Sequence, residues 1–230
     1  MLNLDTSVAS TVLEYPPSAE VFFRYRIDFC CRGEISVREA AESKGLKPEA
    51  LLDELKRAAE GVNGAAADPR ELGTAELIEH IVTVHHGLLR SALPFVRQLA
   101  SKVARVHGKQ NPKLIALDEA VATLADSLLP HLDDEEKDLF PALIAASAAA
   151  DAQTAGSVEK VGGFFSEMMD DHLEVAGILE RMREATEDYE LLEWACTSYR
   201  TLFAELERVE RDTYEHVHLE NHVLMPRFAS

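Results

Sequence analysis

The sequence predicts an all-α protein in which a small helical N-terminal domain precedes a four-helix bundle. Apolar residues recur at helical spacing over four long stretches in the later part of the chain. Two of these stretches end on the same motif, H-x3-E-x3-L-x-P. Long helices that follow one another along a chain form an up-down bundle, in which side chains from facing helices meet in the core.

The small domain is expected over residues 1–64. Ser36, followed three residues later by Glu39, is typical of a capping box at the start of a helix. Small and turn-forming residues without helical periodicity come next, so residues 65–73 are expected to be a linker. Three short helices are predicted here: one that ends near Arg26, one from Ser36 to Lys44 and one from Pro48 to Glu60.

The bundle is expected over residues 74–230. A glycine pair and few large apolar residues predict a loop with some helical turns over residues 147–163. Prolines inside the predicted helices, Pro94, Pro130 and Pro141, should kink or loosen them. The four predicted helices run from Thr74 to about Val106, from Pro112 to about Ala146, from Phe164 to about Glu187, and from about Tyr189 to His222.

Charge and composition exclude several classes of partner. The formal charge is -18, with 41 acidic against 23 basic residues, which repels nucleic acid and anionic lipid. No stretch approaches the roughly 18 uncharged apolar residues of a membrane span. The first residues lack the layout of a secretory signal, and three cysteines make no disulfide framework. We therefore expect a cytoplasmic protein with no nucleic-acid or membrane partner.

The repeated motif places a histidine and a glutamate on one face of a helix. His131 and Glu135 form the first pair, and His216 and Glu220 form the second. Positions i and i+4 are about 40° apart around a helix, so the two side chains of each pair project together. This spacing is typical of metal chelation.

A further histidine precedes each pair by nearly the same distance. His86 lies 45 residues before His131, and His172 lies 44 residues before His216. The complete set offers four imidazoles and two carboxylates, too many ligands for one ion. Two ions could share the carboxylates and keep open positions, so the sequence predicts a di-metal site. Iron, manganese and zinc all suit such ligands, and iron is our first choice.

The other histidines are expected to be solvated or satisfied in the core. His85 points about 100° away from His86 on a helix, so only one of the two can face the bundle centre, and we choose His86. Asp171, next to His172, could support a ligand from outside the site. The remaining histidines are His80, His107, His218 and His222. A solvated acidic face is predicted for Asp133, Asp134 and Glu136.

Two adjacent cysteines, Cys30 and Cys31, lie between a predicted helix and a turn. Arg32 and the helix that begins at Ser36 could lower the pKa of a thiol here and make the pair reactive. The alternative is a pair of small buried residues. Cys196 lies on an apolar stripe, so we expect it to pack in the core.

The cysteine segment Tyr25–Gly33, the six predicted ligands and the closing Leu-x-Pro together resemble the bacterial iron-sulfur cluster repair di-iron proteins. The likeness extends from about Asp5 to Phe228. It implies a hemerythrin-like four-helix bundle preceded by the small helical domain. Arg32 stands where the family often has the first glycine of Cys-Cys-Gly-Gly. His85 stands where an aromatic residue often precedes the first ligand, so His85 remains an alternative ligand to His86.

The resemblance implies a centre in which Glu135 and Glu220 bridge two iron ions, which an oxo or hydroxo group also joins. It implies repair of iron-sulfur clusters damaged by nitrosative or oxidative stress, by a supply of iron. Cys30 and Cys31 would then be a redox or iron-relay element. The implied partners are damaged iron-sulfur proteins, small ligands such as nitric oxide or dioxygen, and a second copy of the chain.

Two other functions stay open at this point. A sensor or carrier could bind dioxygen or nitric oxide reversibly, since an open coordination position explains binding as well as delivery. An enzyme could reduce nitric oxide or break down peroxide at paired metal ions, although no dedicated proton donor is evident. A plain carrier would not require the cysteine domain. We therefore favour a repair factor over a carrier or a turnover enzyme.

Overall fold

The structure is a computed structural model, and it describes residues 2–60, 68–151 and 161–228. These residues are largely helical, which confirms the predicted all-α class. The chain divides into two compact units. The first comprises Met1–Leu72 and Tyr214–Arg227, and the second comprises Gly73–Thr213 and Phe228–Ser230. Part of the expected linker, residues 65–67, lies outside the described residues.

The described residues of the first unit form four α-helices and the C-terminal segment. Ser36 and Glu39 form the predicted capping box: the Glu39 amide donates to Ser36 Oγ at 3.2 Å, and the Ser36 amide donates to Glu39 Oε2 at 2.9 Å. Phe22, Phe29 and Val217 belong to one buried apolar cluster, so the C-terminal segment shares the core of this unit. The helices are α1 (Val8–Glu14), α2 (Ser18–Arg24), α3 (Val37–Ser43) and α4 (Pro48–Glu60).

The second unit is a helical bundle, and leucines of its long helices such as Leu93, Leu117 and Leu124 are fully buried. Helix α6 packs against α7, and α7 packs against α9. Among the described residues, no helix is both long enough and apolar enough to cross a membrane. The helices are α5 (Thr74–His80), α6 (Gly87–His107), α7 (Lys113–Asp134), α8 (Phe140–Asp151), α9 (Val161–Thr186) and α10 (Thr197–Leu219), the last of which continues into the first unit.

The loop predicted over residues 147–163 is wrong at both of its ends. Helix α8 continues to Asp151, and α9 begins at Val161, so the pair Gly162–Gly163 lies inside a helix. A glycine costs only about 1 kcal/mol in a helix, which the packing of a long helix such as α9 can offset. The centre of the predicted loop, residues 152–160, lies outside the described residues.

The start predicted for the fourth helix is also wrong. Glu187, Asp188 and Tyr189 all have positive φ, a conformation that ends a right-handed helix. The Tyr189 amide donates to Thr186 Oγ1 at 3.2 Å, which supports the turn. Helix α10 therefore begins at Thr197.

In the described part of the chain, turns of π-helix interrupt or extend the long helices at three places. Such turns are rare and occur mostly at functional sites. They span Ile81–His86 between α5 and α6, Glu135–Leu139 between α7 and α8, and Glu220–Leu224 after α10.

The repeated motif encodes two of these turns. In the first copy, the amide of Phe140 donates to the carbonyl of Glu135, five residues earlier. In the second copy, the amide of Met225 donates to the carbonyl of Glu220, again five residues earlier. A proline follows next in each copy, and its ring and missing N–H disfavour a regular helix, so the predicted loosening occurs at Pro141. The glutamate of each motif thus begins a widened turn.

Candidate metal centre

In the second unit, three imidazoles surround the carboxylate of Glu135. Its Oε1 lies 3.2 Å from His131 Nε2 and 4.0 Å from His172 Nε2, and its Oε2 lies 3.4 Å from His86 Nε2. All four side chains are buried. Nitrogen and oxygen donors of this kind suit a first-row transition metal, and each of these side chains belongs to a buried group of His and Glu that could hold a metal ion.

Three helical segments bring these side chains together. His131 lies in the last turn of α7, and Glu135 follows it at i+4, so local geometry alone pairs them. His86 ends the π turn before α6, and His172 lies within α9. Helix α7 packs against both α6 and α9, so the segments that carry these two histidines lie beside α7.

Two of the three imidazoles also contact a further carboxylate through the ring nitrogen that lies away from Glu135, Nδ1. His86 Nδ1 lies 2.8 Å from Glu136 Oε1, and His131 Nδ1 lies 3.1 Å from Asp171 Oδ2. A carboxylate accepts, so each Nδ1 carries the proton, and each Nε2 lone pair is left to face Glu135. This arrangement is typical of metal-binding histidines. The contact of Asp171 is the one that the sequence suggested.

The solvated face predicted for the acidic residues is wrong for Glu136. Its partner His86 belongs to another helix, which the periodicity of a single helix cannot reveal. Arg90 Nη2 also donates to Glu136 Oε1 at 3.0 Å. Burial would raise the pKa of Glu136, but the hydrogen bonds from His86 and Arg90 outweigh it and hold this pKa below its usual range. Asp134 is exposed, as predicted.

His85 has a different partner from its neighbour. Its Nδ1 lies 2.9 Å from Asp212 Oδ1, and both side chains are buried. The structure therefore places His86 beside Glu135 and His85 beside Asp212. No motif in the sequence marked Asp212, which lies on α10, 127 residues from its partner.

The second copy of the motif lies in the first unit and reproduces the pairing of the first copy. His216 Nε2 lies 2.8 Å from Glu220 Oε1, and both side chains are fully buried. His216 belongs to the last turn of α10, and Glu220 begins the π turn that follows. In both copies of the motif, the imidazole at position i and the carboxylate at position i+4 are thus buried and in contact.

Residues 28–33, which we call the cysteine loop, lie in the first unit and are held by the Asp28 carboxylate. Asp28 Oδ1 accepts hydrogen bonds from the amides of Cys30 at 3.0 Å and Cys31 at 2.8 Å. The two Sγ atoms lie 3.5 Å apart. Burial, together with the neighbouring Cys31 thiol and Asp28 carboxylate, raises the pKa of the Cys30 thiol well above its usual range. The suggestion of a lowered pKa is therefore wrong for Cys30, because burial dominates.

Side chains of the C-terminal segment hold the backbone of this loop. Within the first unit, His218 Nδ1 donates to the Phe29 carbonyl at 3.0 Å, and Asn221 Nδ2 donates to the Cys30 carbonyl at 3.0 Å. His222 Nε2 donates to the same Cys30 carbonyl at 2.8 Å. Burial lowers the pKa of His218 to about 4, so this imidazole is neutral at physiological pH. Core roles for His218 and His222 agree with the prediction, whereas the role of Asn221 was not foreseen.

The core position predicted for Cys196 is wrong. Its side chain is exposed, and its Sγ lies 3.2 Å from His107 Nε2. The predicted apolar stripe assumed a helix through this residue, but α10 begins only at Thr197. Cys196 therefore lies in the non-helical segment directly before the helix.

Two family models match the chain. Residues 4–59 match a domain of unknown function, DUF542, and residues 77–228 match the hemerythrin HHE cation binding domain. The second match covers every residue of the predicted ligand set. It also agrees with a helical bundle whose buried His and Glu groups could hold metal.

Proteins similar to this chain over their full lengths carry one functional name. The iron-sulfur cluster repair protein ScdA of Staphylococcus haemolyticus is 35% identical over 229 residues, which is 100% of both chains. The protein of the same name from Staphylococcus epidermidis is 31% identical over 230 residues, again 100% of both. The iron-sulfur cluster repair protein YtfE of Escherichia coli is 30% identical over 227 residues, 99% of this chain and 98% of the relative. These matches confirm the resemblance that the sequence motifs indicated.

Proposed function

Because the chain belongs to the iron-sulfur cluster repair family, we propose that it restores iron-sulfur clusters damaged by nitrosative or oxidative stress by supplying iron from a di-iron centre. The names of the relatives favour this function over the dioxygen or nitric oxide carrier and over the nitric oxide reductase. The proposal sets this chemistry in the reducing cytoplasm, where thiols such as those of the three cysteines persist.

One observation carries the proposal: the buried carboxylate of Glu135 with three imidazole Nε2 atoms at 3.2 to 4.0 Å. A buried carboxylate is costly among neutral groups, and a cation offsets that cost. Glu136 and Asp171 hold the rings of His86 and His131 with Nε2 inward, which raises the basicity of these ligands. The donor set therefore fits iron, which accepts imidazole and carboxylate ligands.

We infer from the duplicated motif that His216 and Glu220 supply the remaining ligands. The second pair repeats the burial, the i,i+4 contact and the π turn of the first. On this proposal Glu135 and Glu220 would each serve as ligands to both of two iron ions, and the cofactor would include an oxo or hydroxo group. When bound, such a centre supplies exchangeable iron and open positions for small ligands such as nitric oxide or dioxygen.

The cysteine loop has a separate part in the proposal. Cys30 and Cys31 act as a redox or iron-relay element, and damaged iron-sulfur proteins are the recipients. Half-burial of Cys31 supports this role, since one of the two thiols is accessible to a partner. Pairing of two copies of the chain also belongs to the proposal.

The test is an iron count followed by iron transfer. Anaerobically purified protein should hold two iron ions per chain by metal analysis, with Mössbauer spectra typical of a coupled pair. On incubation with an apo iron-sulfur protein, sulfide and a thiol reductant, it should rebuild the cluster absorption of the recipient. The double variant Glu135→Ala and Glu220→Ala should lose the iron and the transfer. The matched control is Asp134→Ala, an exposed acidic neighbour of Glu135, which should keep both.

Fewer than two ions per chain, or full occupancy in the double variant, would refute the di-iron centre. Product formation from nitric oxide beyond one equivalent per centre, under an anaerobic electron supply, would instead favour the enzymatic alternative.

A further inference from the structure

The cysteine loop places three potential metal ligands at coordinating distances. One oxygen of Asp28 and the sulfurs of Cys30 and Cys31 all lie within 4.8 Å of one another. Cys30 Sγ lies 3.5 Å from Cys31 Sγ and 3.2 Å from Asp28 Oδ1. Two thiolates bound at about 2.3 Å to one tetrahedral ion would have sulfurs about 3.8 Å apart. The two sulfurs, which are 3.5 Å apart, would therefore have to separate by only a few tenths of an ångström to bind one tetrahedral ion.

Hydrogen bonds and close packing fix the backbone of the cysteine loop, so the side chains of Asp28, Cys30 and Cys31 stay near one another. Asn221 and His222 both donate to the Cys30 carbonyl, and these two hydrogen bonds hold the peptide between the two cysteines without use of either thiol or the Asp28 carboxylate. Gly33 closes the loop. A Cβ at this position would lie 2.6 Å from the Phe29 carbonyl oxygen and 2.7 Å from Ala9 Cβ, so a larger residue would require the backbone to shift. A ligand group held by its supports in this way loses little entropy on binding.

A purely structural role accounts for only part of the loop. Cys30 is buried in the apolar cluster of the first unit, as a small core residue would be. Cys31 is half-buried, and a core role does not require a second thiol beside the first. Asp28 accepts from two backbone amides through a single oxygen, and the neutral amide of asparagine could do the same. The adjacent thiol and the negative charge are the features that packing does not require.

We propose that Asp28, Cys30 and Cys31 form a second cation site, distinct from the di-iron centre, which takes one divalent transition-metal ion. Binding releases the two thiol protons and forms two metal–sulfur bonds and one metal–oxygen bond, which leaves a fourth position open. Thiolates select ions such as zinc and ferrous iron over magnesium or calcium. The inference deepens the proposed function, on which it rests for ferrous iron as the physiological ion.

The probe is cobalt(II) alone, added to the full-length, reduced protein under anaerobic conditions. A cobalt–thiolate bond gives a charge-transfer absorption in the near ultraviolet, which imidazole and carboxylate ligands do not give. In the native sequence this band should grow to one equivalent of sulfur-bound cobalt, and zinc(II) should remove it. Cys30→Ser and Cys31→Ser should each abolish it. Asp28→Asn, which can still accept from the backbone amides, should weaken cobalt binding at least about tenfold.

The matched control is Cys196→Ser. Cys196 is an exposed thiol near His107 and has no part in the loop, so its loss should leave the band and its midpoint unchanged. A second measurement needs no variant, because zinc(II) should protect Cys30 and Cys31, but not Cys196, from alkylation of the native protein. That measurement decides the matter if a loop variant fails to fold.

No band with cobalt and no protection by zinc would overturn the inference. A band that survives in the cysteine variants, undiminished binding in Asp28→Asn, or a Cys30–Cys31 disulfide that persists under reductant would do the same. The two proposals fail separately. The variant Glu135→Ala should lose iron yet keep the cobalt–thiolate band. Iron transfer that stays intact in a protein without the band would remove only the second site.

Discussion

Asn221, the residue directly after Glu220, donates a hydrogen bond to the Cys30 carbonyl at 3.0 Å. The π turn that begins at Glu220 and the cysteine loop are therefore joined within the first unit. His222, in the same turn, donates to the same carbonyl. A displacement of this turn would disturb the two hydrogen bonds that hold the Cys30 carbonyl.

Asn221→Ala should loosen the cysteine loop. Loss of one hydrogen bond costs about 1 kcal/mol, which corresponds to roughly a fivefold rise in the population of the open loop. The rate at which a thiol reagent labels the buried Cys30 should rise accordingly, measured by mass spectrometry of the peptide. Asn111→Ala is the matched control, because Asn111 donates to the hydroxyl of Tyr199 instead. Equal Cys30 labelling rates in the native and Asn221→Ala proteins would contradict the coupling.

Glu136→Gln should weaken metal binding without removal of a direct ligand. The substitution keeps a hydrogen-bond acceptor for His86 Nδ1 but removes the negative charge that makes the ring a better donor. Supporting carboxylates of this kind are typically worth roughly 10- to 100-fold in metal affinity. Competition with a coloured chelator measures the change, and Asp171→Asn should act in the same direction through His131. Asp134→Asn serves as the control, and an equal loss in that variant would show a general charge effect.

The thiols should react in a defined order as the pH rises. Hydrogen bonds from the Tyr199 backbone and from His107 lower the pKa of exposed Cys196, whereas burial raises that of Cys30. The thiolate is the reactive form, so Cys196 should be alkylated at lower pH than Cys30. Quantitative mass spectrometry over a pH series gives the order. His107→Ala should shift the Cys196 profile to higher pH, while His80→Ala should not, and modification of Cys30 before Cys196 would refute this assignment.

Arg183→Met should destabilise the second unit strongly. Arg183 Nε lies 2.8 Å from Glu210 Oε1, both residues are buried, and the Tyr189 hydroxyl also donates to Glu210 at 2.7 Å. Removal of one partner leaves a buried charge, which costs roughly 3–5 kcal/mol in the free energy of unfolding. Urea unfolding of metal-free protein measures this.

The control for this ion pair is Arg208→Met. Arg208 pairs with Glu205 on the surface, so its replacement should change the free energy of unfolding by about 1 kcal/mol or less. Similar losses in the two variants would mean that burial of the Arg183 pair does not set its contribution.

Local features were predictable because they depend on neighbours along the chain. The capping box of Ser36 and Glu39 needs only a three-residue spacing. The contact of His131 with Glu135 needs only the geometry of one helix turn, and the structure places Nε2 and Oε1 3.2 Å apart. Where local propensity was overruled, as for Gly162–Gly163 inside α9, the helix as a whole outweighed two unfavourable residues.

The predictions that were wrong concern residues that the periodicity assigns to a regular α-helix but that lie outside one. Helical periodicity predicts a helix that starts near Tyr189, but this residue has a positive φ and its hydroxyl donates to Glu210, and both features hold it in a turn. The same pattern predicts that Cys196 lies on the apolar face of this helix, whereas Cys196 is exposed and precedes the helix. The sequence pattern does not predict the π turns, because α-helical periodicity assumes a constant period of about 3.6 residues per turn and a π turn contains more.

By itself, the sequence determined the all-α class, that His131 and Glu135 share a face, and that the motif occurs twice. Only the tertiary structure decided the partners: Glu136 for His86 at 50 residues' separation, and Cys30 for Asn221 at 191. Periodicity determines the direction in which a side chain leaves its own helix. Which group it meets depends on how helices pack, and that packing is decided by the buried surface of the entire unit.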